Sequence, residues 1–386
     1  LEDTLMNPLA KTHFSQSLIL LSGCALSLLT GCAASTAVSY SWDPMAEIVR
    51  ARGLDPEEVL APFQTTPEME AWLAEAVPEG TPHETRTSTL LHSLISKRGL
   101  QLAYASGFTG TVGEVFESRK ANCLGFTHLF VALARQLGEP VYYLKIDDIY
   151  SYTQEGDLVI SSGHVTAASG FGGDHRILEF SDLDVDYRQV QPIPDLTAIA
   201  LYYSNRAGEL LRTSRAGEAL HYADIAVKLE PELLDGWINL GVIRRRLGDL
   251  EGAEVAYRRA LEADPEAPVT YQNLAALYSH QGNHQAAREV LALADQRNNK
   301  NPFTYLDLGD FSLRQGDLES AERFYRQALR LDPQLVEAHA AMGLCAIEAG
   351  EMNVARRSLR KARRIDPENA WVSRLERRLH VQTAMH

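Results

Sequence analysis

Residues 237–265 read WINLGVIRRRLGDLEGAEVAYRRALEADP, and the rest of the C-terminal half repeats this pattern. Pro231, Pro265, Pro333 and Pro367 share one register of 34 residues; at the skipped step the position holds Asn299, with Pro302 just after. Twelve residues before each register point stands an alanine: Ala219, Ala253, Ala287, Ala321 and Ala355. Five before stands another: Ala226, Ala260, Ala294, Ala328 and Ala362. A large residue recurs as Tyr203, Trp237, Tyr271, Tyr305 and His339, and Gly241, Gly309 and Gly343 hold the small position behind it. Small residues let two antiparallel helices approach, large ones fill the gap between neighbouring units, and proline stops the second helix.

A period of 34 with these residues resembles the tetratricopeptide repeat (TPR). The resemblance covers five repeats over 195–367 and implies an all-α solenoid with a concave groove for a protein or peptide partner. On the first helices, Asn239, Arg245, Arg246, Asn273 and His280 are the candidate partner-binding residues, with ordinary solvation as the competing reading. Residues 368–386 form a capping helix and tail kept soluble by Arg374, Arg377 and Arg378. Cys345 lies between Leu344 and Ala346 on a first helix and reads as a buried structural thiol.

Upstream, residues 111–146 read TVGEVFESRKANCLGFTHLFVALARQLGEPVYYLKI. The run from Cys123 to Leu137 is apolar almost all round, which predicts a buried helix. Gly138-Glu139-Pro140 ends it, and Val141 to Ile146 reads as a strand. Cys123 therefore starts the helix, where unpaired N–H groups and the helix dipole would stabilise a thiolate or an oxyanion. A thiolate nucleophile needs a base. His164 is the candidate, in the strand-like run Leu158–Ser169; His128, on the same helix as Cys123 but on another side, and His175, beside a turn, are weaker ones.

A helix-borne Cys, then a strand-borne His, then an acid on the return strand resembles the transglutaminase-like superfamily. The resemblance covers about residues 85–185 and is carried most specifically by the block from Asn122 to Gly138. It implies an α+β fold with a central helix and an antiparallel sheet over 56–190, Cys123 as nucleophile and His164 as base. The third member is Glu179 or Asp182. If the turn has two residues, strand positions adding to 345 pair and Glu179 shares the face of His164; with three residues the sum is 346 and Asp182 lies opposite. The chain departs from the family here, which has Asp at the end of the return strand. Some domains of this type have lost activity and act as binding modules.

At the N-terminus, Met6 is the expected start. Lys11 and His13 precede the apolar run Leu18–Leu29, too short to cross a bilayer as a helix. Leu29-Thr30-Gly31-Cys32 looks like a lipobox, with Leu21–Cys24 a weaker match. Residues 1–32 read as a lipoprotein signal segment, acylated at Cys32, and 33–55 as a linker. Ala33 after the cysteine implies the outer membrane of a bacterial envelope, with the protein facing the periplasm.

The formal net charge of −14 disfavours nucleic acid as the main partner. No phosphate-cradling glycine loop and no metal-ligand spacing is present, so neither cofactor nor metal is expected. Two functions follow: a thiol-dependent amidase, peptidase or acyltransferase fed by the repeats, or a catalytically inactive tethered scaffold.

Overall fold

The structure, a computed structural model, describes residues 42–155, 158–170, 176–178, 190–265, 267–296, 302–314 and 316–384; for 147–164 the description stops at the backbone. Four helices come first: α1 (Asp43–Ala51), α2 (Pro56–Leu60), α3 (Pro67–Ala76) and α4 (His83–Ile95). Their starts are local chemistry. Proline sits in the first turn of α2 and α3, and the Asp55 and Thr66 side chains accept from Glu57 N and Met69 N. After β1 (Ala103–Tyr104), α5 (Val112–Ser118) opens on a reciprocal capping box between Thr111 and Glu114. β2 (Lys120–Ala121) makes a short parallel ladder with β1 and leads into α6 (Cys123–Gln136).

Helix α6 is the hub of this part. Ten of its residues, from Leu124 to Ala134, are buried. It lies on a four-stranded antiparallel sheet of order β5-β4-β3-β6, built from β3 (Val141–Glu155), β4 (Leu158–Ser169), β5 (Arg176–Leu178) and β6 (Val190–Ile193). Val141, Tyr143, Val165 and Ala167 join the core beneath α6. Leu144, Ile146, Thr166 and Ala168 alternate with them and are buried as well, so the sheet is covered on both faces. The β3–β4 register runs from Val141↔Ser169 to Ile146↔His164, then resumes at Ser151↔Ser162. Four residues of β3 therefore oppose Gly163 in a bulge that redirects the rest of the hairpin.

From Asp195 on, helices come in antiparallel pairs: α7 (Asp195–Arg212) with α8 (Ala216–Leu229), α9 (Leu234–Arg246) with α10 (Leu250–Ala263), and α11 (Pro268–His280) with α12 (His284–Gln296). The last pairs are α13 (Pro302–Arg314) with α14 (Leu318–Leu331) and α15 (Val336–Glu348) with α16 (Met352–Ile365), and α17 (Ala370–Ala384) closes the array. The periodic residues have visible causes. Trp237 Nε1 donates to Pro231 O at 2.7 Å, Tyr271 Oη donates to Pro265 O at 2.8 Å, and His339 Nε2 lies 3.1 Å from Pro333 O. The large position thus needs a ring with a polar tip, which is why histidine substitutes for an aromatic in the last repeat. A Cβ at Gly241 or Gly309 would overlap the ring of Tyr257 or Tyr325. Between the helices of a pair the backbone turns left-handed at Gly248, Gly282, Gly316 and Gly350, and at Ser214 in the first pair. Asp249, Asn283 and Asp317 next cap the second helices.

The two parts share a core. Ala198 to Tyr203 on α7, with Ile225, Ala226 and Leu229 on α8, pack in one cluster with α6 and the sheet. Arg135 on α6 adds a clamp. Its guanidinium holds the Asp195 carboxylate at 2.6 and 2.8 Å and donates to Val141 O at 3.2 and 3.3 Å. One cation thereby ties the end of α6, the start of β3 and the start of α7.

Candidate functional site

Cys123 is the first residue of α6, half-buried and free. Asn122, itself buried, caps the helix: its Oδ1 accepts from Gly125 N at 2.9 Å, and its Nδ2 donates to Thr109 Oγ1 at 2.6 Å. Thr109 N in turn donates to Glu209 Oε1 on α7 at 2.6 Å, and Arg206 Nη1 sits 3.3 Å from Glu209 Oε2. A chain of hydrogen bonds so runs from the helix end that carries Cys123 to the first helix of the array. Sequence reading missed Thr109 and Glu209, because a contact across 100 residues leaves no local pattern.

Thr127 relates Cys123 to the sheet. Its Oγ1 lies 2.8 Å from the Cys123 carbonyl and 3.4 Å from the Val165 carbonyl. The start of α6 is therefore beside β4 one residue from His164, whose backbone pairs with Ile146 at the edge of the bulge. The His164 side chain, His175, Glu179, Asp182 and Cys32 lie outside the described residues. In every described β4–β5 pair, from Ala167↔Leu178 to Ser169↔Arg176, the two residue numbers add to 345.

His128 points away from Cys123 into the core. It packs edge-on to Phe63, Tyr143 and Tyr202, and its Nδ1 is 2.9 Å from Tyr143 Oη. Burial pushes its pKa down to about 3, against the raising effect of Asp195 and the Ala198 backbone. The ring is a neutral core group. Cys345 is buried on α15 beside the Leu318 carbonyl, and desolvation raises its thiol to about 11.

The groove candidates fall in different environments. Arg246 and His280 are exposed and Arg245 is half-buried. Asn239 is spent between repeats, donating to Ser204 Oγ at 2.8 Å. Asn273 is fully buried and neither atom of its amide has a partner. The cause is in the repeat register: 35 residues before Asn239 stands Ser204, whereas 35 before Asn273 stands Ile238. One step on, Gln272 and Asp307 restore the link at 3.3 Å. β4 also contacts α11, and the Lys145 ammonium on β3 partly offsets the burial that raises the Asp235 carboxyl on α9. Both central strands therefore reach first helices of the array. No group of His, Cys, Asp and Glu among the described residues could hold a metal, and no described helix is long and apolar enough to cross a membrane.

The sequence profiles of the tetratricopeptide repeat match residues 205–268, 244–308 and 312–381. The C-terminal half is a TPR array. Among curated proteins none matches the chain. Solved TPR structures do. A Pseudomonas aeruginosa pilF structure is 20% identical over 48% of this chain and 84% of its own, with a TM-score of 0.42. TTC0263, a thermophilic TPR protein of Thermus thermophilus, is 20% identical over 47% of this chain and 98% of its own, with a TM-score of 0.40. YrrB, described as a TPR protein with an unusual peptide-binding site, is 20% identical over 46% and 92%, with a TM-score of 0.35.

Proposed function

We propose that this protein is a protein-binding scaffold whose TPR array recruits a polypeptide partner. The observation that carries it is the array itself: five helix pairs on one 34-residue register, closed by α17 and fused through a common core to the α6 domain. Such arrays act by presenting an extended surface to protein segments. Deleting the array would strip α7 and α8 from the core around α6, so point variants are the proper test. Arg246→Glu with His280→Glu, both exposed on first helices, should lose a partner that the full chain and Cys123→Ala capture from an envelope fraction. Retention of every partner by the double variant would refute binding through this face.

The Thr127 contact supports a second reading, a thiol site at Cys123. The Cys123 thiolate would attack an amide carbonyl, expel the amine, and leave a thioester for water or another amine to resolve, with the His164 imidazole moving the proton. If the β4–β5 register continues, position 179 falls on the face of position 164, which favours Glu179 over Asp182 as its partner. Loss of pathway function in Cys123→Ala supports this reading, and full function rules it out.

The lipobox at Cys32 supports reading the protein as an envelope lipoprotein, and Ala33 after it supports the outer membrane. Mass spectrometry of the mature N-terminus tests this: a diacylglyceryl group on Cys32, absent in Cys32→Ser, is the expected result, and an unmodified cysteine refutes it.

A further inference from the structure

Helix α16 carries Arg356, Arg357, Arg360, Lys361, Arg363 and Arg364, all exposed, and no acidic residue. The opposite face packs into the array: Ala355, Ser358 and Ala362 are buried, and Met352, Val354, Leu359 and Ile365 pack beside them. Only Arg363 has an ion pair among the described residues, with Glu376 at 3.5 Å. The other five cations have none there. Arg356 and Arg360, Arg357 and Lys361, and Arg360 and Arg364 are spaced i,i+4, where like charges repel and weaken a helix. Elsewhere the array does the reverse: Arg258 is paired with Glu254, Arg259 with Glu262 and Arg326 with Glu322. The field of the stripe is felt next door. Burial lowers the His339 pKa on α15, and Lys361 and Arg364 add to that, against the Pro333 carbonyl and Asp332.

A repulsive stripe in a chain of net charge −14 calls for an anionic counterpart. We propose that the outer face of α16 is a docking surface for an anionic phospholipid bilayer. Three features favour a bilayer over other anions. The cations lie on a second helix of a repeat, away from the first helices that offer a peptide groove. They follow one continuous helix of 14 residues, about 21 Å long, which suits an extended surface. Their number matches the clusters of four to eight Lys/Arg by which amphipathic helices bind acidic lipids. Beyond a Debye length of about 8 Å the acids elsewhere in the chain are screened, so the local charge decides. Bound this way, the array would lie along the membrane by its C-terminal repeat, independently of any lipid at Cys32.

The test uses the full chain with Cys24→Ser and Cys32→Ser, which cannot be acylated, and vesicles of phosphatidylcholine with or without phosphatidylglycerol. Binding should require phosphatidylglycerol and fall with salt. Arg357→Gln, Arg360→Gln, Lys361→Gln and Arg364→Gln together should weaken it by about fivefold per removed cation. Neutralising Arg258, Arg259, Arg326 and Arg330 instead removes the same charge elsewhere and should leave binding unchanged. Circular dichroism should show α16 intact, since the first set relieves repulsion. Equal loss in both sets, or no loss in the first, overturns the proposal. So does a salt-sensitive dimer that the first set abolishes while vesicle binding persists, since the stripe then faces a second copy.

Discussion

Glu209 Oε1 accepts the Thr109 amide at 2.6 Å, and through that bond a TPR helix steadies the cap of the helix that begins at Cys123. Asn122→Ala should destabilise the protein by about 1 kcal/mol, the usual value of an N-cap. Glu209→Ala, which frees a buried amide, should cost about 1–3 kcal/mol. Because the two act through Thr109, the double variant should cost less than the sum by at least about 0.5 kcal/mol. Urea denaturation of the four proteins measures this; strict additivity would mean that the bond does not transmit support.

The orphaned amide of Asn273 gives a prediction of opposite sign to that of its repeat equivalent. Asn273→Leu removes a buried polar group without a partner and should leave stability unchanged or raise it by about 1–2 kcal/mol. Asn239→Leu strands the buried Ser204 hydroxyl and should cost about 1–3 kcal/mol. Thermal melts of both, side by side, decide it; a loss in Asn273→Leu as large as in Asn239→Leu would show that Asn273 has an unseen partner.

Ser214 takes the left-handed conformation that glycine takes at the four equivalent turns. Ser214→Gly should raise stability by about 0.5–1 kcal/mol, the steric relief less the entropy cost of glycine. The same replacement at Thr213, whose φ is −88, should destabilise. Matched midpoints for the two variants would contradict the assignment of strain to Ser214.

His128 makes the fold acid-sensitive. Its pKa is about 3 in the folded protein and 6.5 in the unfolded chain, so the unfolded state binds the proton first as pH falls. The stability from keeping this ring neutral is complete above pH 6.5 and is lost as pH drops towards 3, by about 3 kcal/mol at pH 4. His128→Phe, which keeps the aromatic cluster and removes the titration, should flatten the fall in unfolding free energy between pH 6.5 and 4. An unchanged slope would exclude His128 as its source.

What the sequence by itself determined is everything with a short period or a local signal. The 34-residue register marks out helix pairs because each pair meets its neighbour in the same way, so the same residues recur. Helix α6 and its start at Cys123 follow from a run that is apolar almost all round, and α17 from its place after the last repeat, beyond Pro367. Other features had no such signal. β6 is four residues with a proline, readable only as the partner of β3. β3 runs to Glu155, past the Ile146 expected from its apolar run, because a bulge lets it keep a partner after the pattern changes. The tertiary structure alone decided that α7 and α8 complete the core around α6, that Arg135 reaches Asp195, and that Asn239 is satisfied while Asn273 is not. Those outcomes depend on which residues distant in the chain come within bonding distance, and that is settled by packing, not by periodicity.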